Sequence, residues 1–300
     1  MDDGDDASAP ADLLPADAFA LLGNEHRVRI LQALLDILRT EKEYPASFSA
    51  LQAEAGADVS SQFSYHLDEL TGHFLKHTNE GYAFRYAGWK VATAILAGIY
   101  NQRDEFAATS IAGTCPRCET DALEATYQDE WMEIDCRACE TRLTRYPFPP
   151  GGLAGRSPSE FLHTFDQHVR THMRLAREGV CPACFGPMKP FVERNDSDTT
   201  ASRDAGYKCT RCGNRLYPSI GMLLLNEKPV REFLRNRELP VDVAPFWEIG
   251  FCVDDRCTVV TCKDPWRCEV QVAADSDTLI LELNEHLKVI STSILDNSAI

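Results

Sequence analysis

The strongest constraint on this chain is the stretch CPRCETDALEATYQDEWMEIDCRAC at residues 115–139, in which two Cys-x-x-Cys pairs bracket 17 residues. A Cys-x-x-Cys turn aims two thiolates at one ion, and a second such turn completes a tetrahedral shell of four sulfurs, which suits Zn2+. Cys115, Cys118, Cys136 and Cys139 fit this spacing. So do Cys181, Cys184, Cys209 and Cys212, in CPAC and CTRC with 24 residues between them. The longer spacer is accounted for by NDSDTTASRDAG (195–206), a polar loop without apolar periodicity. Cysteine fills all four positions of each shell and leaves none for water, so two structural zinc ions are expected rather than catalytic ones. A thioredoxin-like redox pair would need one such motif beside a βαβ unit, and none is visible.

Metal rather than disulfide follows from the expected compartment. The opening MDDGDDASAP has neither the basic nor the apolar region of a secretory signal, and no apolar run reaches the length of a membrane span. A cytoplasmic location without membrane contact is therefore expected, and thiols there stay reduced. Four further cysteines, Cys252, Cys257, Cys262 and Cys268, lack the Cys-x-x-Cys spacing and sit among β-branched residues. Packing as small apolar side chains is one reading of them. A third metal or a redox pair is the other, with CVDDRC as a hairpin joining Cys252 and Cys257.

The chain divides into an α+β multidomain arrangement. Residues 1–12 are an acidic tail expected to be disordered, and 13–110 read as mostly helix with one hairpin. Residues 111–152 form the first zinc ribbon, 153–179 a connecting helix, 180–240 the second ribbon with an appended helix around KPVREFLRNRE, and 241–300 a small β-rich region. The connecting helix opens on a capping box, Ser157 with Pro158 and Glu160, and stops at Gly179. It carries His163, His168 and His172; solvated helix polarity is the expected role of these three.

The block 13–110 carries the functional signal. In NEHRVRILQALLDILR (24–39), Val28, Leu31, Leu35 and Leu38 recur at helical spacing. A short helix follows, capped by Ser47 or Ser49 and stopped at Gly56. In SQFSYHLDELTG (61–72), Phe63, Leu67 and Leu70 share one face, so Gln62, Ser64, Tyr65 and His66 point elsewhere. Two short helices joined by a tight turn, the second polar outside, make a helix-turn-helix. HFLKHTNEGYAFRY (73–86) then reads as two strands around a turn at Asn79-Glu80-Gly81, which completes a winged helix. The apolar helix GWKVATAILAGIYNQ (88–102) is a candidate dimerisation element or simply core.

LLGNEHRVRILQAL, FSALQAEAG, FSYHLDEL and the hairpin after them resemble the ArsR-like winged helix-turn-helix regulators, including haloarchaeal relatives in which zinc ribbons follow. The resemblance implies a homodimer on double-stranded DNA with the helix at 61–72 in the major groove. By motif position, Ser61, Gln62, Ser64, Tyr65 and His66 face that groove. The metal-sensing members use cysteines within the winged helix; here no Cys precedes Cys115. Chemically, Gln can bond adenine, Ser can donate or accept, and Tyr can reach phosphate or a thymine methyl. Lys76, His77 and Arg85 are candidate phosphate contacts on the hairpin.

Charge cuts against this unless the salt is high. The chain has a net charge of −16, and residues 1–110 hold 17 acids against 8 Lys and Arg. An acidic domain is repelled by DNA at ordinary ionic strength. Many acids with 22 Arg and only 8 Lys are the pattern expected of a halophilic protein, an ordinary acidic cytoplasmic protein being the alternative. In molar salt the Debye length shrinks to about 3 Å, and the repulsion is screened. The expected function is sequence-specific transcription regulation. A basal transcription component resembling the archaeal TFE/TFIIE-α family, which contacts RNA polymerase and promoter, is the alternative, as is a protein-interaction module. No Ser-His-Asp set, Gly-rich phosphate loop or open metal site argues for an enzyme.

Overall fold

The computed structural model describes residues 13–40, 44–192, 205–237, 241 and 243–296. They fall into two compact units, which divide after residue 102, with residues 149–151 joining the first unit and 103–148 and 152 onward forming the second. The acidic tail 1–12 and most of the polar loop at 195–206 lie outside the described residues.

The first unit begins with α1 (Pro15–Leu22) and α2 (Glu25–Arg39). Asn24 caps α2 by accepting from the His26 and Arg27 amides at 3.0 and 3.4 Å. The face that α2 buries is Ile30, Leu31, Ala33, Leu34 and Ile37. This corrects the stripe Val28–Leu31–Leu35–Leu38, of which Leu38 is 38% exposed. The helix is apolar over a broad arc, so spacing alone allows two overlapping stripes, and packing against its neighbours selects one. Next come α3 (Phe48–Glu54), capped by Ser47, and α4 (Ser60–Leu70). Gln52 locks the turn between them by donating to Ala57 O and Ser60 Oγ, each at 2.9 Å. Phe63, Leu67 and Leu70 of α4 are buried as their spacing required. An antiparallel hairpin follows, β1 (Leu75–Thr78) and β2 (Gly81–Phe84). Gly81 has φ +133°, and a Cβ there would stand 2.4 Å from Ala46 O. That closeness lets Ala46 and Tyr82 exchange backbone hydrogen bonds. Helix α5 (Tyr86–Leu96) ends earlier than the apolar run suggested: Gly98 turns the chain at φ +72°, and Ile99 and Tyr100 lie beyond it.

The second unit opens with an antiparallel sheet of β3 (Phe106–Ser110), β4 (Leu123–Gln128), β5 (Trp131–Cys136) and β6 (Thr141–Pro147). Strand β3 pairs with β4, which corrects the domain boundary at 110: these residues belong to the sheet, not to the helical block. Helix α6 (Pro158–Arg177) starts on the expected capping box. A smaller sheet follows, β7 (Met188–Val192), β8 (Ala205–Cys209) and β9 (Arg215–Leu216), then α7 (Ile220–Leu224) and α8 (Lys228–Arg235). The chain closes with α9 (Gly250–Val253) and an antiparallel meander of β10 (Thr258–Lys263), β11 (Trp266–Ala274), β12 (Asp277–Asn284) and β13 (Val289–Asp296).

The division of this half into separate ribbon, helix and β domains is corrected by its core. Leu123 and Ile134 of the first sheet, Phe165 and Val169 of α6, Tyr207 of the second sheet and Val270 and Leu281 of the meander belong to one apolar cluster. Helix α6 is therefore not a connector but buries Phe161, Phe165, Val169, Met173 and Ala176. Its Asp166, 4% exposed, pairs with Arg170 at 2.8 Å and accepts the Phe246 amide at 2.8 Å. Arg170 in turn donates to Val241 O and Ala244 O. The buried pair is thus fully hydrogen-bonded, the condition under which burying charge is tolerated.

Candidate functional site

Each cysteine quartet is assembled from a turn and a strand end. Cys115 and Cys118 lie on the loop before β4; Cys136 ends β5, and Cys139 sits in the turn to β6. Cys181 and Cys184 precede β7, while Cys209 ends β8 and Cys212 follows it. In both sets all four Sγ atoms lie within 4.8 Å of one another. The separations are 3.8 Å for Cys115–Cys139, 3.6 Å for Cys118–Cys136, 3.7 Å for Cys181–Cys212 and 3.5 Å for Cys184–Cys209. Disulfide sulfurs would be about 2 Å apart. A regular tetrahedron with ion–sulfur bonds of ~2.3 Å has edges of about 3.8 Å. The thiols therefore have the geometry to hold two metal ions.

The turns themselves show why the pairs converge. In every pair the residue after the second cysteine has positive φ: Glu119 +59°, Glu140 +54°, Phe185 +57° and Gly213 +78°. This reverses the chain so that Glu119, Phe185 and Gly213 donate back to the carbonyls of Cys115, Cys181 and Cys209. For a residue with a Cβ the conformation costs about 1–2 kcal/mol, which a bound ion would offset. Thiolate character is favoured locally. The Thr141 hydroxyl, 3.3 Å from Cys139 Sγ, draws that thiol down to about 6. The Cys212 backbone N–H does the same for Cys209, also to about 6. Burial pushes Cys115 up to about 11.

Cys252, Cys257, Cys262 and Cys268 form no third centre among the described residues. Residues 250–253 are helical, so the hairpin expected at CVDDRC does not form. Cys252 and Cys268 are buried in the core, and burial pushes the Cys268 thiol up to about 12. They pack as small apolar groups.

On α4, Ser61, Gln62 and Tyr65 are exposed and Ser64 is half-buried, donating to Asp68 at 3.5 Å. Gln62 Nε2 donates to His26 Nε2 at 3.3 Å, and both residues line a cleft of about 210 Å³ beside the α3–α4 turn. The outward placement of His66 is corrected. It is 7% exposed, and its ring stacks on His26 with centroids 5.0 Å apart. Burial first, then the charges of His26 and Arg27, lowers its pKa and favours the neutral ring. Its position, three residues after Phe63 and one before Leu67, lies at the margin of the buried face, where spacing cannot separate core from surface. Lys76 and His77 on β1 and Arg85 after β2 are exposed. His77 stacks on Tyr82 at 4.4 Å, and the Arg85 guanidinium is held back on Gly72 O.

The histidines of α6 separate. His163 is exposed, but His168 and His172 are half-buried with ring centroids 4.0 Å apart, which corrects their reading as solvated polarity. Tyr146 Oη stands 2.9 Å from His172 Nδ1, and Phe148 meets His168 edge-on. Burial, then the neighbouring His168, lowers His172 to about 4, so the ring that shares a hydrogen bond with the Tyr146 hydroxyl is neutral. The sequence held a usable signal here: His168 and His172 flank Val169 and Met173, on the buried side of the helix.

No helix among the described residues is long and apolar enough to cross a membrane. No curated protein and no solved structure matches the chain. Residues 15–95, within the first unit, match the family model of a domain of unknown function, DUF7347. Residues 112–289, nearly the whole of the second unit, match that of another, DUF7351. This second match covers more than half of the sequence and takes in both cysteine clusters and the first three strands of the meander, so the chain belongs to the DUF7351 family.

Proposed function

We propose that this protein is a sequence-specific DNA-binding transcription regulator. Its first unit acts as an ArsR-like winged helix-turn-helix, and its second is a scaffold fixed by two structural Zn2+ ions. The observation that carries the reading is the division of labour on α4. Phe63, Leu67 and Leu70 are committed to the core, while Ser61, Gln62 and Tyr65 stay exposed in the helix that precedes a short hairpin. Groove recognition needs such a helix, with polar side chains free to meet base edges. Lys76, His77 and Arg85 then flank it as phosphate contacts. Tyr86, Trp89 and Leu96 expose 68, 41 and 56% of their surface along α5, which suits a homodimer built on that helix. The protein works in the cytoplasm at high salt, as a binding protein and not an enzyme. Zn2+ is the ion of choice because four thiolates at tetrahedral spacing match it.

The acidic balance of residues 1–110 favours a second reading, in which the same unit binds RNA polymerase or another transcription protein rather than an operator. Chromatin pull-down at native salt separates the two, by discrete sites against all promoters. Gln62→Ala should then cost about 1–3 kcal/mol of base discrimination in molar KCl, without lowering the melting temperature. Full operator affinity and specificity in both Gln62→Ala and Tyr65→Ala would remove α4 from the groove and put the basal-factor reading ahead.

A further inference from the structure

The two edges of the C-terminal meander differ. An open edge offers a row of backbone donors and acceptors to any strand it meets, and proteins blunt such edges with charge, Pro or bulges. Edge strand β10 has a register shift between Val260 and Cys262 and ends in Lys263. Elsewhere in the unit, β6 carries Arg142 and Arg145, β7 Lys189 and Pro190, and β9 Arg215. Strand β3 is uncharged, but its exposed residues are the small Ala107, Ala108, Thr109 and Ser110. Strand β13 is the exception. It has no charge from Val289 through Leu295, and Ile290, Ile294 and Leu295 are 44, 56 and 50% exposed.

Its sequence is also close to a palindrome. From 288 to 296 it reads KVISTSILD, with Ser291 and Ser293, Ile290 and Ile294, and Val289 and Leu295 placed symmetrically about Thr292. In an antiparallel pair of identical strands with the two-fold axis at Thr292, each of these residues meets its counterpart. A two-fold interface requires this self-complementarity. The uncharged strand matters further because two chains of net charge −16 repel wherever acidic surfaces face.

We propose that β13 pairs with β13 of a second copy of this chain, antiparallel and centred on Thr292, so that two four-stranded sheets become one continuous sheet. The register of β13 against β12 is regular from Ser291 to Asp296 and bulges at Ile290, because Glu282 pairs with Ser291 and Leu283 with Val289. The pairing is therefore tightest at Ser291–Ser293 around the axis, with the isoleucines closing its ends. This contact is separate from the one assigned to α5 and does not depend on DNA binding.

Hydrogen exchange of the full chain in molar KCl, over a range of protein concentrations, tests it together with sedimentation of Thr292→Lys and Thr292→Val. Amides of Val289–Leu295 should become more protected as concentration rises, in the parent and in Thr292→Val. Thr292→Lys sets two cations face to face at the axis and should raise the dissociation constant of this contact about tenfold or more. Thr292 is exposed, so the melting temperature should hold. Association through α5 alone would leave exchange in β13 independent of concentration, and that result overturns the proposal. So does a folded Thr292→Lys variant that associates as the parent does. If that variant fails to fold, the concentration dependence in the parent decides.

Discussion

The cores of the two units are built from different materials. In the first, Ile30, Leu34 and Ile37 of α2 meet Leu51, Phe63, Leu67 and Leu70, and the cluster is hydrocarbon throughout. In the second, the first cysteine of every Cys-x-x-Cys pair is part of the core: Cys115, Cys136, Cys181 and Cys209 are each at most 1% exposed. The second cysteine of each pair is half-buried, or exposed at Cys212. Both clusters thus sit on the rim of the apolar cluster, with one thiol of each pair turned inward. The contrast teaches that ions held at these clusters would not be accessories on finished domains. Without them, the buried thiols and the left-handed Glu119, Glu140 and Phe185 beside the clusters would stay uncompensated, whereas no cysteine lies in the core of the first unit.

The largest expected effect comes from stripping the metal. Four-thiolate Zn2+ sites contribute apparent binding free energies of about 10–16 kcal/mol near neutral pH. Metal analysis should find two ions per chain, and a chelator strong enough to remove them should remove most of the strand signal, leaving the helices and the short hairpin of the first unit. Retention of a cooperative second-unit melt in metal-free protein would break the comparison.

Leu67→Ala is the reciprocal test. Leu67 is fully buried, and its truncation should cost the first unit about 2–5 kcal/mol. Metal content should stay at two ions. Loss of metal on this substitution would mean that the units do not hold their stability separately.

A smaller effect sharpens the comparison through pH. Asp255 is 8% exposed; its Oδ1 accepts the Ile220 amide at 2.7 Å, and its Oδ2 has no hydrogen-bond partner. Burial raises its pKa to about 6. The folded state therefore holds the proton longer than the unfolded chain. The stability this contributes is complete below the unfolded value near 4 and is lost as pH rises through about 6. Asp255→Asn keeps an acceptor for Ile220 and cannot ionise, so in urea the second unit of the variant should gain on the parent by up to ~3 kcal/mol as pH rises from about 4 to about 7, and keep that gain above it. A stability difference that stays flat over that range would exclude Asp255 as the source. The first unit's midpoint should be the same in both proteins.

What the sequence determined by itself was local. Cysteine spacing placed eight thiols in two sets, the Ser157–Glu160 capping box started α6, the three-to-four-residue rhythm of Phe63, Leu67 and Leu70 set the buried face of α4, and strand-rich runs marked the meander. Each depends on residues a few positions apart, where helix and strand periods and side-chain-to-backbone hydrogen bonds act. Tertiary structure decided the rest. It chose one of two stripes on α2, buried His66 against His26, folded His168 and His172 against Tyr146, and merged residues 103–148 and 152–300 around one core. It also forced Glu119, Glu140 and Phe185 into a conformation that sequence would reserve for glycine. The physical reason is common to all of these. Whether a polar ring or a thiol is buried depends on which distant segments desolvate it, and Asp166 accepting from Phe246 or Ile220 donating to Asp255 are contacts that no local pattern encodes.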